Sequence, residues 1–305
     1  MKYTEYGQSG VKVSAIGAGC MRIARMTSED TDEFVHAAVD CGINFFDHAD
    51  IYGGGRSEEL FGSVLSKDPS LREKIFIQSK CAIHDGSFDF SKDYILKSTD
   101  GILSRLKTDH IDSLLLHRPD ALMEPEEVNE AFEELKKAGK VLHFGVSNMN
   151  PSQMALLQSG LSMPLEADQM QLSLAHTPLF DAGFNVDMAD APAVMRDGGT
   201  LEYCRMHKMT VQAWSPLQMG YFQGVFLGNE KYKDLNEKLD ELAEKYHVTP
   251  DAIAYAWILR YPGRTQVITG TANIDHLSCG AKGADITLTH QEWYDLYRSA
   301  GNRLP

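Results

Sequence analysis

The fold is decided by residues 44–58, which read NFFDHADIYGGGRSE. An apolar strand at 44–46 leads into a polar loop that carries Asp47 and, five residues later, Tyr52. Three glycines follow, and a helix opens at Ser57, so the stretch is typical of half a βαβ unit. Because α/β barrels place their chemistry at the carboxyl ends of strands, Asp47 is a candidate catalytic residue.

The same alternation of strand and helix continues along the chain. Eight strands are predicted at 13–19, 44–46, 75–80, 111–117, 141–147, 165–170, 210–214 and 266–269, with helices between them. This pattern predicts an α/β fold, a (β/α)8 TIM barrel that spans residues 1–305 as a single domain. An open doubly wound sheet is the alternative. It is less favoured because Gly17-Ala18-Gly19 lacks the third glycine of a dinucleotide-binding turn.

Two further elements lie outside the eightfold repeat. Residues 2–6 and 10–14 alternate around a Gly-Gln-Ser-Gly turn, which predicts an N-terminal β-hairpin. An extra C-terminal helix is predicted at 290–300, and we expect it to cover one end of the barrel. Within the repeat, the helix at 28–41 is expected to start with Ser28 as its cap.

Composition excludes several classes of function. A net charge of −14 disfavours nucleic acid and anionic membrane surfaces as partners. No apolar run approaches the length of a membrane span, and the first residues lack a secretory signal. The five cysteines are scattered without a C-x-x-C pair, which indicates reduced thiols in a cytoplasmic protein and no metal site.

Polar residues recur where the predicted strands end. Asp47, Lys80 and His117 end three consecutive strands, and Tyr52 lies in the loop after the first of these. Each residue alone has an ordinary structural explanation, such as a cap or a solvated lysine. All four at neighbouring strand ends are hard to explain by packing. A buried Lys80 would need a partner, and Asp47 is the obvious one.

These four side chains form a plausible catalytic set. The charge of Lys80 is expected to lower the pKa of Tyr52 towards working pH, so that Tyr52 acts as general acid. Asp47 would hold Lys80, and His117 would polarise a carbonyl oxygen. A proton donor without a nucleophile or a metal suits reduction of an aldehyde or ketone by hydride from a cofactor.

The chain resembles the aldo-keto reductase family. Residues 47–53 match the family signature D-x-A-x-x-Y-G, and Asp47, Tyr52, Lys80 and His117 match its catalytic tetrad. The resemblance covers nearly the whole chain and carries five separate motifs. It implies a TIM barrel and NAD(P)H-dependent reduction of a small-molecule carbonyl substrate by hydride transfer.

The resemblance also implies residues that hold the cofactor. Ser147, Asn148 and Gln169 would bind the nicotinamide carboxamide, and Trp214 would stack on its ring. Pyrophosphate contacts would come from the segment that follows Trp214. The full implied set is Gly19, Cys20, Met21, Arg22, Asp47, Ser147, Asn148, Gln169, Trp214, Ser215, Pro216, Leu217, Gly270, Thr271 and Asn273.

Two departures from the family pattern are visible. Asn273 and His276 stand after the eighth strand, where relatives that prefer a 2′-phosphate usually carry Lys or Arg. NADP(H) is the expected cofactor, NAD(H) or dual use is the alternative, and Lys282 is a substitute cation nearby in sequence. His48 replaces the common Thr or Ser and is expected to alter the pocket floor slightly.

The substrate-binding loops name no substrate. The loop 176–199, with Phe180 and Phe184, is interpreted as a pocket wall or lid with helical segments possible. Residues 218–228 are expected to close over the cofactor. Two rival functions stay open: a cofactor-binding regulatory protein with low turnover, and a Schiff-base lyase that uses Lys80 as nucleophile.

Overall fold

The computed structural model of the protein describes residues 1–84, 87–186, 188, 191–196 and 198–302. Its strands, in chain order, are β1 (Tyr3–Glu5), β2 (Lys12–Ser14), β3 (Ile16–Gly19), β4 (Phe45–Asp47), β5 (Phe76–Cys81), β6 (Ile83–His84), β7 (Ser87–Phe88), β8 (Ile111–Leu116), β9 (Val141–Ser147), β10 (Ala167–Gln171), β11 (Thr210–Trp214) and β12 (Arg264–Thr269).

Helices alternate with these strands. In chain order they are α1 (Ser28–Asp40), α2 (Arg56–Lys67), α3 (Lys92–Leu106), α4 (Pro125–Lys137), α5 (Pro151–Gly160), α6 (Pro178–Phe184), α7 (Thr200–Met206), α8 (Lys233–Tyr246), α9 (Pro250–Leu259), α10 (Ile274–Ala281) and α11 (His290–Ser299).

Eight of the strands close into a parallel barrel. Their spatial order is β10-β11-β12-β3-β4-β5-β8-β9, and each pairs in parallel with both neighbours. Strands of this kind are covered on both faces, by the barrel interior and by the helices, so their sequences are apolar almost throughout. The run Ile111–Leu116, IDSLLL, is an example. The predicted (β/α)8 barrel is confirmed.

The N-terminal hairpin closes the amino end of the barrel. Strands β1 and β2 pair antiparallel, and the segment between them carries Tyr6 into the interior, where it is fully buried. The Tyr6 ring packs against Phe45 and Phe76, the first residues of two barrel strands. The bottom of the barrel is therefore sealed by an aromatic cluster, and the opposite end carries the polar residues.

The C-terminal helix α11 covers a side of the barrel instead of the expected end. Trp293 stacks on Trp257 of α9 with ring centroids 4.9 Å apart, and each indole N–H donates to the other's carbonyl oxygen. Glu292 accepts from Lys245 of α8 at 2.5 Å. Apolar burial and these paired polar contacts hold α11 against α8 and α9.

Some predicted boundaries are wrong for local reasons. The strand expected at 13–19 divides, because β2 pairs with β1 whereas β3 joins the barrel. Thr27, not Ser28, caps α1: its hydroxyl accepts from Asp30 N–H, and the Asp30 carboxylate accepts from Thr27 N–H. Ser28 is the first helical residue. Either residue type suits a cap, and only the reciprocal partner at Asp30 decides between them.

The loop 176–199 contains helix α6 and a 3-10 turn at Ala191–Ala193. Residues 187, 189, 190 and 197 lie outside the described part. Phe180 contacts Trp257 and Trp293, and Phe184 contacts Tyr297. These two phenylalanines therefore pack on the outer helices and do not form the expected pocket wall.

Among the described residues, no helix combines the length and the apolar character that crossing a bilayer requires.

Candidate active site

All eight barrel strands deliver polar or small residues at their carboxyl ends. The positions singled out from the sequence lie in the carboxyl-terminal half of, or just after, β3, β4, β5, β8, β9, β10, β11 and β12 in turn. Because the strands are parallel and closed, these positions share one face of the barrel. The barrel therefore brings together residues that are spread over more than 250 positions of sequence.

The predicted tetrad is assembled at this face. Lys80 Nζ donates to Asp47 Oδ2 at 2.8 Å, to the His48 carbonyl oxygen at 2.8 Å and to Tyr52 OH at 3.1 Å. Lys80 is fully buried and Asp47 is 2% exposed. Three acceptors around one ammonium satisfy its three donors, which is the condition for burying a lysine charge.

The protonation states suit a proton donor. Burial acts to lower the pKa of Lys80, but the charges of Asp47 and Tyr52 and the hydrogen bonds to them outweigh it and raise that pKa. Lys80 is therefore an ammonium at neutral pH. This disfavours a role as an amine nucleophile, which requires the opposite shift.

Tyr52 differs from the expectation. Burial raises its pKa, the charge of Lys80 lowers it, and burial is the larger effect, so the pKa of Tyr52 lies above its ordinary value. The predicted lowering was wrong because burial of the hydroxyl raises the pKa by more than the Lys80 charge lowers it. Tyr52 consequently keeps its proton throughout the physiological range.

His117 lies beside Tyr52, with ring centroids 6.0 Å apart. Burial, followed by the charges of Lys80 and Arg118, lowers the pKa of His117 well below its usual range. Its Nδ1 is buried and has no hydrogen-bond partner in the described part of the chain. A neutral imidazole at this place can donate one hydrogen bond without adding charge.

Glycines allow Tyr52 to approach the tetrad. Tyr52 opens a 3-10 turn, and Gly53 and Gly54 within it have φ of 62° and 64°. A Cβ on Gly53 would clash with Ala24 of the preceding loop. The three consecutive glycines of the sequence therefore supply both the left-handed backbone and the room for close loop contact.

His48 points away from the site. It follows Asp47, and because side chains alternate along a strand its ring lies on the outer face, in edge contact with Phe61 of α2 at 4.6 Å. Burial lowers the pKa of His48 to about 3, so the ring is neutral. The expectation that His48 alters the pocket floor is therefore wrong.

The residues proposed for the nicotinamide carboxamide lie next to the tetrad. Ser147 Oγ donates to the Gln169 carbonyl oxygen at 2.9 Å, and Asn148 Nδ2 donates to Ser147 Oγ at 2.7 Å. Trp214 Nε1 donates to Asn148 Oδ1 at 3.3 Å. Asn148 has φ of 58° and Ser215 has φ of 50°, unusual values for residues other than glycine. Such backbone strain concentrates at functional sites.

Gln169 links this group to the carboxylate of Asp47. Its Nε2 donates to Asp47 Oδ1 at 3.1 Å. Its Oε1 has no hydrogen bond to any described residue, so it remains available to accept one from a carboxamide N–H. The donors and acceptors at these strand ends thus fit an amide-bearing ligand.

The turn after β3 divides into buried and open parts. Met21 and Arg22 are exposed in a 3-10 turn, whereas Cys20 is fully buried and burial raises the pKa of its thiol. Cys20 contributes its backbone: its N–H donates to the Asp47 carbonyl oxygen and its own carbonyl oxygen accepts from Ser57. It therefore orders the loop and presents no side chain to a ligand.

The segment after β12 starts helix α10. Gly270 and Asn273 are exposed, and Thr271 is half-buried. Asn273 caps the helix by accepting from His276 N–H at 3.0 Å. Lys282 follows the last residue of α10, about 13 Å along the axis from Asn273. Lys282 therefore does not replace a cation at the Asn273 end.

Four arginines follow barrel strands at the mouth of the barrel. Arg22 and Arg25 follow β3, Arg56 follows β4, and Arg118 follows β8. None of these four side chains has a hydrogen bond or an ion pair with a described residue, whereas Arg72, Arg105, Arg264 and Arg298 are paired with carboxylates. Unpaired guanidinium groups at a cleft attract anionic ligands.

Asp168 is a buried carboxyl behind the Asn148 turn. It is fully buried, and neither oxygen accepts a hydrogen bond of ordinary geometry from a described group. Burial raises the pKa of Asp168 to about 8, and the nearby N–H groups of Met149 and Asn148 oppose that rise only in part.

Replacing Asp168 by asparagine should stabilise the protein at alkaline pH. In the unfolded chain Asp168 ionises above about pH 4, but in the folded chain it keeps its proton up to about pH 8. Below about pH 4 the protonated Asp168 therefore does not reduce the free energy of unfolding. As pH rises from about 4 towards 8, that free energy falls, because the unfolded chain loses this proton first. Thermal scans should show Asp168→Asn raising Tm by about 5 °C at pH 9, and hardly at pH 4. A gain equal at both pH values would contradict this.

Several residues of the site were missed from the sequence. Gln78 contacts Asp47 directly, and Arg118 adjoins His117. The signal for Gln78 was the period of two along a strand, since it stands two residues before Lys80 and so faces the same interior. Glu58 was also missed as a partner. It accepts from Ser79 at 2.6 Å and from Arg105 at 2.7 Å, and so fixes the start of α2.

The chain is similar to known proteins over nearly its whole length. The family model described as "Aldo/keto reductase family" matches residues 15–299. Oxidoreductase YdhF of Escherichia coli (strain K12) is 34% identical over 284 residues, which cover 90% of this chain and 89% of the relative. A 6-dehydroglucose reductase of Novosphingobium aromaticivorans is 34% identical over 99% of this chain and 97% of its own.

The fold also has a solved counterpart. The crystal structure of the thermostable aldo-keto reductase Tm1743 in complex with the inhibitor epalrestat superposes with a TM-score of 0.79 at 28% identity. The match covers 98% of this chain and all of that one. The family that the sequence motifs indicated is therefore confirmed: the chain belongs to the aldo-keto reductases and is an NAD(P)H-dependent oxidoreductase.

Proposed function

We propose that this protein reduces an aldehyde or ketone to the alcohol with Tyr52 as the general acid. The observation that carries the proposal is the buried Lys80 ammonium held between Asp47 Oδ2 at 2.8 Å and Tyr52 OH at 3.1 Å. A proton donor backed by a fixed positive charge suits a reaction in which a carbonyl oxygen gains negative charge.

Each member of the tetrad has a distinct task. Tyr52 gives its proton to the substrate oxygen, and the Lys80 ammonium stabilises the phenolate that remains. Asp47 keeps Lys80 charged and oriented. Neutral His117 donates a hydrogen bond to the same oxygen. The bound nicotinamide cofactor supplies the hydride that the carbonyl carbon receives.

The cofactor would be held by the strand ends from β9 round to β3. Ser147, Asn148 and Gln169 would bind its carboxamide, and Trp214 would face its ring. The remaining contacts would come from Gly19–Arg22, from 215–217 and from Gly270, Thr271 and Asn273. The unused acceptor on Gln169 and the strained turns at Asn148 and Ser215 support this assignment.

NADP(H) is the proposed cofactor, with NAD(H) or dual use as the alternative. Asn273 and His276 offer no fixed positive charge at the start of α10, and Lys282 lies at its far end. Arg22 is a better candidate for the cation that binds the 2′-phosphate. Its charge acts on Tyr255, whose hydroxyl is 3.1 Å from Thr269 Oγ1 at the end of β12. A phosphate dianion would find its cation there.

Fluorescence titration with NADPH and NADH tests the cofactor assignment. Binding of NADPH at least as tight as that of NADH, with Arg22→Gln weakening NADPH alone, is the expected result. If Arg22→Gln weakened the binding of NADPH and NADH equally, we would assign Arg22 to the pyrophosphate, which both nucleotides share. Binding of neither would contradict the proposed function.

Replacing Trp214 by alanine should weaken cofactor binding by about 1 kcal/mol, which is about fivefold in Kd, because an aromatic stack on the nicotinamide is lost. The same titration measures it. Trp293→Phe is the control, since Trp293 lies on α11 and stacks on Trp257 of α9, on the outside of the barrel. An unchanged Kd for Trp214→Ala would assign this indole to packing.

Arg118 indicates the class of carbonyl substrate. It directly follows His117, its guanidinium lies 5.8 Å from the centre of the Tyr221 ring, and it has no carboxylate partner among the described residues. Tyr221 also contacts Trp214. We therefore propose substrates that carry hydroxyl or carboxylate oxygens beside the carbonyl. One relative is named a 6-dehydroglucose reductase, and 6-dehydroglucose is a carbonyl compound with several hydroxyl groups. That name supports the proposed substrate class.

Replacing Arg118 by leucine should raise KM for 4-carboxybenzaldehyde about tenfold and leave KM for benzaldehyde nearly unchanged. The lost interaction is a charge-assisted hydrogen bond in a partly exposed position. Steady-state kinetics on both aldehydes measure it, with Arg298→Leu on α11 as the control. An equal change for both aldehydes would show that Arg118 shapes the pocket without recognising the substituent.

We also propose a cytoplasmic location. All five cysteines are free thiols, as expected of a protein in a reducing compartment.

A further inference from the structure

Four glutamines occupy the interior of the barrel, where branched apolar residues are usual. They are Gln78 on β5, Gln169 on β10, Gln212 on β11 and Gln266 on β12, and none is more than 3% exposed. A buried amide costs free energy unless its donors and acceptors are satisfied. Four together therefore require an explanation beyond packing.

Strand register places these amides in one layer. Gln169 pairs with Gln212 and Gln212 with Gln266 on neighbouring strands, while Gln78 pairs with Asp47 on one side and Ser113 on the other. The layer thus reaches the catalytic carboxylate without any loop. Its members meet because of the barrel itself, and so are held more rigidly than loop residues would be.

The amides form a continuous hydrogen-bond network. Gln78 and Gln212 form a reciprocal pair: Gln78 Nε2 donates to Gln212 Oε1 at 2.8 Å, and Gln212 Nε2 donates to Gln78 Oε1 at 3.1 Å. Gln212 Nε2 also donates to Gln266 Oε1 at 2.9 Å, and Gln266 Nε2 donates to the Ser14 carbonyl oxygen at 2.8 Å.

This network ends on Asp47. Asp47 Oδ1 accepts from two amides, from Gln78 Nε2 at 2.7 Å and from Gln169 Nε2 at 3.1 Å. Lys80 donates to the other carboxylate oxygen. Donors on both oxygens leave the carboxylate one orientation. Asp47 in turn aligns Lys80 against Tyr52.

The orientation of Gln78 is set from the floor of the barrel. Tyr6 OH donates to Gln78 Oε1 at 3.1 Å and lies 2.6 Å from Ser113 Oγ. With its oxygen engaged by Tyr6 and Gln212, the amide must turn its nitrogen towards Asp47. One chain of hydrogen bonds therefore runs from Tyr6 in the N-terminal hairpin through Gln78, Asp47 and Lys80 to Tyr52.

We propose that Gln78 and Tyr6 are positioning residues of the reaction, which act through Asp47 to keep the Lys80 ammonium charged and aimed at Tyr52. This inference rests on the proposed function of the tetrad. It makes the N-terminal hairpin part of the catalytic apparatus in addition to its role as a seal.

The test compares Gln78→Met with Gln266→Met. Both substitutions replace a buried barrel amide by a side chain of similar size, but only Gln78 touches Asp47. We expect Gln78→Met to lower kcat about tenfold, which is the scale of a small misplacement of reacting groups. The acidic limb of its profile of kcat against pH should move to higher pH. The Kd of NADPH should stay unchanged. Gln266→Met should leave the pH profile in place. Tyr6→Phe should shift the limb in the same direction by less.

A measurement without cofactor or substrate accompanies the kinetics. Because Gln78 donates to Asp47 and Gln266 does not, Gln78→Met should lower Tm by more than Gln266→Met, and an Asp47→Asn background should remove that difference. A wild-type pH profile in Gln78→Met, or the same change in both variants, would overturn the proposal. A wild-type protein that binds NADPH but reduces no aldehyde would instead overturn the proposed function.

Discussion

Replacing Tyr52 by phenylalanine should lower kcat for aldehyde reduction about a thousandfold, the usual contribution of a general acid. The ring that packs beside His117 is kept, and only the hydroxyl that Lys80 touches at 3.1 Å is removed. The Kd of NADPH should change little, because Tyr52 is not among the residues proposed to hold the cofactor. Stopped-flow kinetics together with the fluorescence titration measure both quantities.

The control for Tyr52→Phe is Tyr3→Phe. Tyr3 lies in the N-terminal hairpin at the opposite end of the barrel, and its hydroxyl donates to the Gly42 carbonyl oxygen. Its loss should leave kcat unchanged. If Tyr52→Phe retained turnover within a factor of a few, the proton would have to come from another group and the role assigned to Tyr52 would be wrong.

Replacing Lys80 by methionine should abolish turnover and also destabilise the fold. It leaves the Asp47 charge buried with only amide donors, and breaking one partner of a buried ion pair costs about 3–5 kcal/mol. Tyr52 also loses the charge that stabilises its phenolate. Chemical denaturation and kcat measure the two effects. Lys92→Met is the control, because Lys92 pairs with Glu130 and Glu134 at an exposed site where such pairs contribute little.

A double variant separates the two consequences of losing Lys80. In Lys80→Met/Asp47→Asn the unpaired charge is gone, so much of the lost stability should return. Turnover should not return, since the phenolate of Tyr52 would still lack its ammonium. Recovery of both would mean that Lys80 acts only by neutralising Asp47.

The fold and the tetrad were predictable because both depend on local sequence. Each barrel strand is an apolar run between helices, and the residues proposed to be catalytic lie at or just after the ends of such runs. Asp47, Lys80 and His117 could therefore be placed on one face of the barrel without coordinates. The family motifs added the cofactor positions.

The rest depended on contacts between distant strands. Gln78, Gln212 and Gln266 look like ordinary strand residues until register places them in one layer. The direction of the pKa shift of Tyr52 depended on whether burial or the charge of Lys80 has the larger effect. Two opposing effects cannot be ranked from residue types alone. Phe180 was assigned to a pocket wall, but its partners Trp257 and Trp293 lie far ahead in sequence.

The most direct test of the central claim is a single turnover. Enzyme saturated with NADPH is mixed with 4-carboxybenzaldehyde, and the alcohol formed is counted against the NADPH consumed. Reduction through Tyr52 predicts that the wild type forms one molecule of alcohol for each NADPH consumed. Tyr52→Phe should form hardly any alcohol in the same time. Tight binding of NADPH with no alcohol in the wild type would contradict that claim and would favour a regulatory protein that keeps the fold and the cofactor site.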